Sequence, residues 1–176
     1  MIVLVTGGAS SGKSDFAEKI CTELAAKHRC YVATMQYNPQ DNEAVARIKR
    51  HCAKRLDHGF DTVESPTNLA GLDFAGYDVV LLECLGNLLA NEMFAVAQSA
   101  KAAEAAVKSG IINLIKTVPD VVIVANEVFS DGENYSNETM EYIALLGNIS
   151  VWLTAMADEV YEVVCGIPLK IKAVGR

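Results

Sequence analysis

Eight consecutive residues, GGASSGKS at 7–14, have the composition and spacing of a phosphate cradle. They fit G-x-x-x-x-G-K-[ST] in full. Gly7, Gly8 and Gly12 would let backbone N–H groups of the loop, which runs through Ala9, Ser10 and Ser11, wrap around phosphate oxygens. Lys13 would reach the β- and γ-phosphates, and the Ser14 hydroxyl would bind Mg²⁺. The bland alternative is a Gly-Ser turn. Against it stand the strand-like IVLVT before the loop and the amphipathic stretch after it, whose helix N-terminus would add partial positive charge. Such a site also needs an acid at the end of a neighbouring buried strand, and VVLLE (79–83) places Glu83 at such a tip. A carboxylate merely solvated at its strand end is the other reading of Glu83. Asn126 and Glu127 end the next apolar run in the same way, as ligand contacts or as loop caps.

A second concentration of chemistry is RIKRHCAKR at 47–55. The chain is acidic, with 15 Lys+Arg against 22 Asp+Glu, yet five of those bases crowd around His51. On a helical projection Val45, Ile48 and Cys52 share one side, and Arg47, Arg50, His51 and Lys54 the other. Taken alone this is a solvated face. Beside a phosphate cradle, His51 could instead be a nucleophile on phosphorus, with nearby cations stabilising phosphoryl charge and favouring the neutral imidazole. It could equally be an acid–base residue or a simple phosphate contact. The residue types leave these open.

The elements that must carry these groups follow from the apolar pattern. Near-continuous apolar runs at 2–7, 30–35, 78–84, 120–128 and 159–166 predict strands covered on both faces. Between them, helical periodicity predicts helices from Lys13 to about His28, over roughly 42–54, over about 88–116 with interruptions, and over about 136–157. Alternation of this kind implies an α/β fold with a mostly parallel, doubly wound sheet and helices on both faces, P-loop NTPase-like, in a single domain over 1–176. SDGENYSNE (130–138) predicts a mobile loop.

Composition narrows the partners. A formal net charge of -7 argues against non-specific nucleic-acid binding and against attachment to anionic lipid. The five cysteines have no zinc-ligand spacing and read as reduced thiols, MIVLVTGG does not have the pattern expected of a signal peptide, and no apolar run approaches the length of a membrane span. A cytoplasmic location is expected. His28 is expected to interact with carbonyls at the end of the first helix, His58 to lie in a surface turn, and Trp152 to sit in the core or an interface.

The chain resembles the bifunctional adenosylcobinamide kinase/adenosylcobinamide-phosphate guanylyltransferase family of cobalamin biosynthesis. The resemblance is carried by residues 2–14, by YVAT (31–34), by Arg47, Ile48, His51 and Arg55, by TVE (62–64), LLEC (81–84) and NEV (126–128), and by ADEVYEVVCGIPLKIK (157–172). It implies that a histidine at His51 attacks the α-phosphorus of GTP and holds GMP before passing it to adenosylcobinamide phosphate. It also implies a kinase step, with ATP or GTP phosphorylating the aminopropanol hydroxyl of adenosylcobinamide. The nucleotide contacts it implies are Gly7 to Ser14, Thr34, Met35 and Gln36, then Cys52, Ala53, Lys54 and Arg55, and Glu64 and Glu83. A carboxylate suits guanine N1–H and N2–H₂, so Glu64 or Glu83 could face the base, and Glu83 could serve base or metal. The family also implies a homo-oligomer, with a trimer as one form.

The chain departs from the family's pattern after NEV. Phe129 stands where a glycine is expected, Tyr142-Ile143-Ala144 replaces Phe-Arg-Asp, and Ser150-Val151 replaces Asn-Gln, while Gly147 keeps its place. Leu56 and Phe60 replace other usual residues after the histidine. The loss of polar groups points to altered corrinoid docking, loss of one activity, or a changed subunit contact. Two other readings compete: a P-loop kinase of another small metabolite, and a nucleotide-binding module without catalysis.

Overall fold

The computed structural model describes residues 1–25, 27–36, 58–96, 99–128, 132 and 135–173. The chain opens with β1 (Ile2–Gly7), α1 (Lys13–Leu24), β2 (Arg29–Ala33) and β3 (Phe60–Glu64). A short 3₁₀ turn (Leu69–Gly71) leads to β4 (Val79–Glu83), α2 (Leu85–Asn91) and a wide π-type turn (Glu92–Val96). Then come α3 (Ala100–Thr117), β5 (Asp120–Asn126), α4 (Asn137–Met156), β6 (Glu159–Val164) and β7 (Ile167–Ala173).

The seven strands form one sheet in the order β3-β2-β4-β5-β1-β6-β7. Every pairing is parallel except β6 with β7, which form an antiparallel hairpin. Because side chains alternate across a strand, the apolar runs feed two cores. Leu4, Val80, Leu82 and Ile123 pack with Leu88, Ile111, Leu146 and Ile149 from α2, α3 and α4 on one face. Val3, Val5, Leu81, Val122 and Val124 pack with Ala17, Ile20 and Cys21 of α1 on the other. Helices on both faces of a mostly parallel sheet are what the alternating pattern predicts.

Two strands carry no signal of that kind. In β3 (FDTVE) only Phe60 is fully buried, and β7 (IPLKIKA) is exposed along nearly its whole length. Both lie at the sheet's edges, where an apolar run covered on both faces is not required. The first helix ends at Leu24, earlier than expected, because Ala25 turns extended. It is Arg29, not His28, that reaches back to its end: Nε donates to the Ala25 carbonyl at 2.6 Å, and His28 lies beyond with φ 52°. The expected 88–116 helix begins at Leu85 and is broken by the π-type turn before Ser99 caps α3 by accepting from the Ala102 N–H. Ser136 caps α4 in the same way. The expected helix over 42–54 lies outside the described residues, as do 130, 131, 133 and 134 of the 130–138 loop. Trp152 is half-buried against the core, with the Lys108 ammonium 5.3 Å from its ring centre.

Candidate nucleotide-binding site

Parallel pairing brings the strands' carboxyl ends into line. Ala33 is in register with Glu64 on one side and Glu83 on the other, Glu83 with Val124, and Gly7 with Asn126. Residues far apart in the chain thus stand along one edge, which is where ligands gather in such sheets.

The loop from Gly7 to Gly12 leaves β1 at that edge and turns into α1. Two of its glycines are required by geometry. A Cβ on Gly7 would lie 2.6 Å from the Val163 carbonyl and 2.7 Å from Ser11 Oγ, and Gly12 has φ 90°. A Cβ on Gly8 would meet nothing within 4 Å. The loop is braced from outside by the β6–β7 turn, whose Gly166 N–H donates to the Ser11 carbonyl at 2.8 Å. Gly12 is the N-cap of α1 and brings no side chain to it, so the first-turn N–H groups face an anion's position without a competing cap. Ser11 Oγ is buried with no hydrogen-bond partner among the described residues. An orphaned hydroxyl and uncapped amides are what a phosphate would satisfy. Lys13 is 7% exposed and folds over its own loop, donating from Nζ to the Gly8 carbonyl at 3.0 Å.

Ser14 Oγ donates to Glu83 Oε1 at 2.6 Å. The strand carrying Glu83 is not the neighbour of β1, because β5 stands between them; α1 packs over β5 and β4 and carries Ser14 across. Glu83 therefore faces the phosphate end of the site. Glu64 is exposed at the tip of β3, on the far side of β2. Between the two, Thr34 is 0% exposed and its hydroxyl belongs to the β4 end. It accepts from the Cys84 N–H at 2.7 Å and lies 3.0 and 2.9 Å from the Glu83 and Cys84 carbonyls, to which it donates. Met35 is half-buried and Gln36 exposed. The Glu127 N–H donates to the Gly7 carbonyl at 3.0 Å, tying β5 to the start of the cradle.

Just beyond Glu83, Cys84 caps α2 through Sγ, which accepts from the Asn87 N–H at 3.4 Å, and burial pushes its thiol pKa up. Tyr142, in the segment that departs from the family, donates its hydroxyl to the Gly86 carbonyl at 3.2 Å and sets its ring 6.3 Å from that of Phe94. Burial pushes its pKa up to about 12. Ser150 and Val151 lie with Gly147 and Thr154 along an open groove of about 350 Å³ on α4. His58 lies in a turn with its ring 40% exposed, as expected, and its Nδ1 is also 2.9 Å from Oε2 of Glu18, which is 4% exposed on α1. His51, Cys52, Ala53, Lys54 and Arg55 lie outside the described residues, as do Leu56 and Phe129. The sequence reading missed Asn91 as part of the site's surroundings, and it named Tyr142 only as a departure from the family and Gly166 only within the stretch that carries the resemblance; their contacts cross 57, 56 and 155 positions.

A glycine-bounded cradle between the first strand and first helix, with a carboxylate-tipped strand one place removed in a parallel sheet, defines a P-loop nucleotide-binding fold. Two solved structures share it: the flagellar accessory protein FlaH from Methanocaldococcus jannaschii (TM-score 0.52, 13% identity, 98% of this chain and 78% of that one) and an ATPase domain (TM-score 0.51, 12% identity, 92% and 68%). A sequence profile for cobinamide kinase / cobinamide phosphate guanyltransferase matches residues 3–171, and the chain belongs to that family. It is 35% identical to the bifunctional adenosylcobalamin biosynthesis protein CobU of Escherichia coli, over 98% of this chain and all of that one. It is 36% identical to the protein of the same name from Salmonella typhimurium, with the same coverage. No described helix is long and apolar enough to cross a membrane.

Proposed function

We propose that the protein phosphorylates adenosylcobinamide on its aminopropanol hydroxyl and then converts the product to adenosylcobinamide-GDP. In the first step the γ-phosphoryl group of ATP or GTP passes to the substrate hydroxyl, which loses its proton, and the nucleoside diphosphate leaves. In the second, a His51 ring nitrogen attacks the α-phosphorus of GTP; an N–P bond forms, the bond to the β-phosphate oxygen breaks, and pyrophosphate departs. The phosphate oxygen of adenosylcobinamide phosphate then attacks the same phosphorus, and His51 is released.

The observation that carries this reading is the Ser14–Glu83 hydrogen bond beside a cradle with an orphaned hydroxyl and uncapped amides. In it the cradle amides and Ser11 hold phosphate oxygens, and Lys13 exchanges its Gly8 carbonyl for the β/γ-phosphates. The Ser14 hydroxyl and Glu83 carboxylate are hard oxygen donors that suit Mg²⁺, which when bound neutralises phosphate charge. Glu64, with Thr34, Met35 and Gln36 beside it, faces the base; the roles of His51 as nucleophile and of Cys52, Ala53, Lys54 and Arg55 as nucleotide contacts rest on the family pattern.

The test uses GTP labelled on the α-phosphate. After denaturation, wild type is expected to retain acid-labile, alkali-stable label, and His51→Ala none. Equal label in both would rule out guanylyl transfer through His51 and leave a P-loop kinase. Phosphorylation of adenosylcobinamide, followed separately, tests the kinase half.

A further inference from the structure

Asn91 ends α2, the helix that begins directly after Glu83 and Cys84. Its side-chain amide has two N–H donors, and both are used on backbone carbonyls of other elements. Nδ2 donates to the Thr34 carbonyl at 2.8 Å and to the Pro66 carbonyl at 3.0 Å. Thr34 begins the segment after β2 that continues into Met35 and Gln36, and Pro66 follows Glu64 by two residues after β3. One NH₂ group therefore bridges the ends of two neighbouring strands, beside the residues assigned above to the base.

The surroundings make that bridge specific. Ser65 N–H donates to the Ala33 carbonyl at 2.9 Å, so the strands stay paired up to the bridge. Beyond it, Glu92, 4% exposed, accepts from the Asn68 N–H at 2.6 Å, and Asn68 sits at φ 55°. The loop from Ser65 to Asn68 is thus gripped at both ends by the adjacent residues Asn91 and Glu92. Thr34 is fully buried, and losing Asn91 removes the side-chain donor its carbonyl has here. An Asp at 91 would set a carboxylate against two carbonyl oxygens.

We propose that Asn91 is a positioning residue for nucleobase selection: by holding the Thr34 and Pro66 carbonyls in one amide fork, it fixes the Thr34–Gln36 segment against Glu64 so that the carboxylate meets guanine's N1–H and N2–H₂ edge. This rests on the base-end reading above. It predicts a larger effect at the base end than at the phosphate end, since Asn91 holds the Thr34 carbonyl, whereas the Thr34 hydroxyl keeps its own bonds to the Glu83 and Cys84 backbone.

The experiment measures equilibrium binding of GDP, of IDP, which lacks the 2-amino group, and of inorganic pyrophosphate to the full chain by calorimetry with Mg²⁺. Wild type is expected to prefer GDP over IDP by about tenfold or more, because a site built around a donor rejects the analogue lacking it. Asn91→Ala and Asn91→Asp should reduce that preference to about threefold or less, while pyrophosphate affinity stays within about twofold of wild type. The preference is a ratio taken on one preparation, so partial unfolding does not create it. Should Asn91→Ala not fold, Asn91→Ser, which keeps one donor, is read in the same way. Wild-type preference retained in the folded variants overturns the role of Asn91 alone. No preference in wild type overturns the base-end reading and this proposal together, while leaving the His51 adduct test untouched. Pyrophosphate affinity falling as far as GDP affinity would make Asn91 a general structural residue and overturn the proposal as well.

Discussion

The two ends of the candidate site lie on the same sheet edge but are built differently. At the phosphate end, eight consecutive residues supply the loop, the lysine and the hydroxyl, and Lys13 folds onto a carbonyl only five positions away. Ser14 to Glu83 is its long-range side-chain contact, with backbone bonds from Gly166 and Glu127 bracing the loop. At the base end, Thr34 and Glu64 come from separate strands and are bridged by Asn91, 57 positions from Thr34 and 25 from Pro66. A phosphate can be held by backbone amides that any compact loop presents, whereas a base edge must be met by side chains at set separation, which only the assembled sheet provides.

The largest expected effect comes from removing charge at the phosphate end. Lys13→Ala should lower phosphoryl transfer to adenosylcobinamide by about 10³-fold or more, and Glu83→Gln by about 10²-fold, on the scale of losing one preorganised charged group at a transition state. Neither change should cost much stability: the Lys13 ammonium bonds a carbonyl of its own loop, and Gln keeps an acceptor for Ser14. Turnover at saturating nucleotide, with thermal melts on the same samples, checks both. Full activity in Lys13→Ala would mean that the cradle does not hold the reacting phosphates.

That contrast also explains what could be read in advance. The cradle was legible because its chemistry and its spacing are contiguous, and the five buried or half-buried parallel strands were legible because both their faces need apolar residues. Glu83 could be placed at a strand tip, but not the insertion of β5 between it and β1, since strand order follows from packing and not from any local pattern. β3 and β7 escaped because edge strands such as FDTVE carry polar residues. Asn91 looks like any helix-end asparagine until the carbonyls it bonds are known. His58 reads as a surface turn residue, and its tie to the buried Glu18 depends on where α1 packs.

A milder change separates shape from charge within the cradle. Gly7→Ala puts a Cβ 2.6 Å from a backbone carbonyl, and the resulting shift should cost about 1–3 kcal/mol. For a chain of this size that is a fall in Tm of about 2–12 °C. Gly8→Ala meets nothing and should leave Tm within about 1 °C, the ordinary scale for an unhindered substitution. If the two alanine variants melt together, the close approach of Val163 and Ser11 to Gly7 is not what demands a glycine there.

The smallest effect concerns the strand behind the base end. Burial, with Asp61 adding to it, pushes the Cys30 thiol up from 9.0 to about 12. The unfolded chain releases that proton near pH 9 while the folded chain keeps it, so above pH 9 the unfolded state binds fewer protons and stability falls as pH rises; below pH 9 the thiol contributes no slope. One such group gives about 1.4 kcal/mol per pH unit between those limits. Cys21, on the buried face of α1, is also pushed up by burial, so both ends of the site should contribute to alkaline loss. Urea unfolding from about pH 7 to about pH 10.5 is expected to show a flat region and then a decline, and Cys30→Ala, less stable at neutral pH from its cavity, should decline less steeply by about one proton's slope. Equal slopes in the two proteins would mean that Cys30 does not titrate differently on folding, and that the packing behind the base end is looser than the packing beneath the cradle.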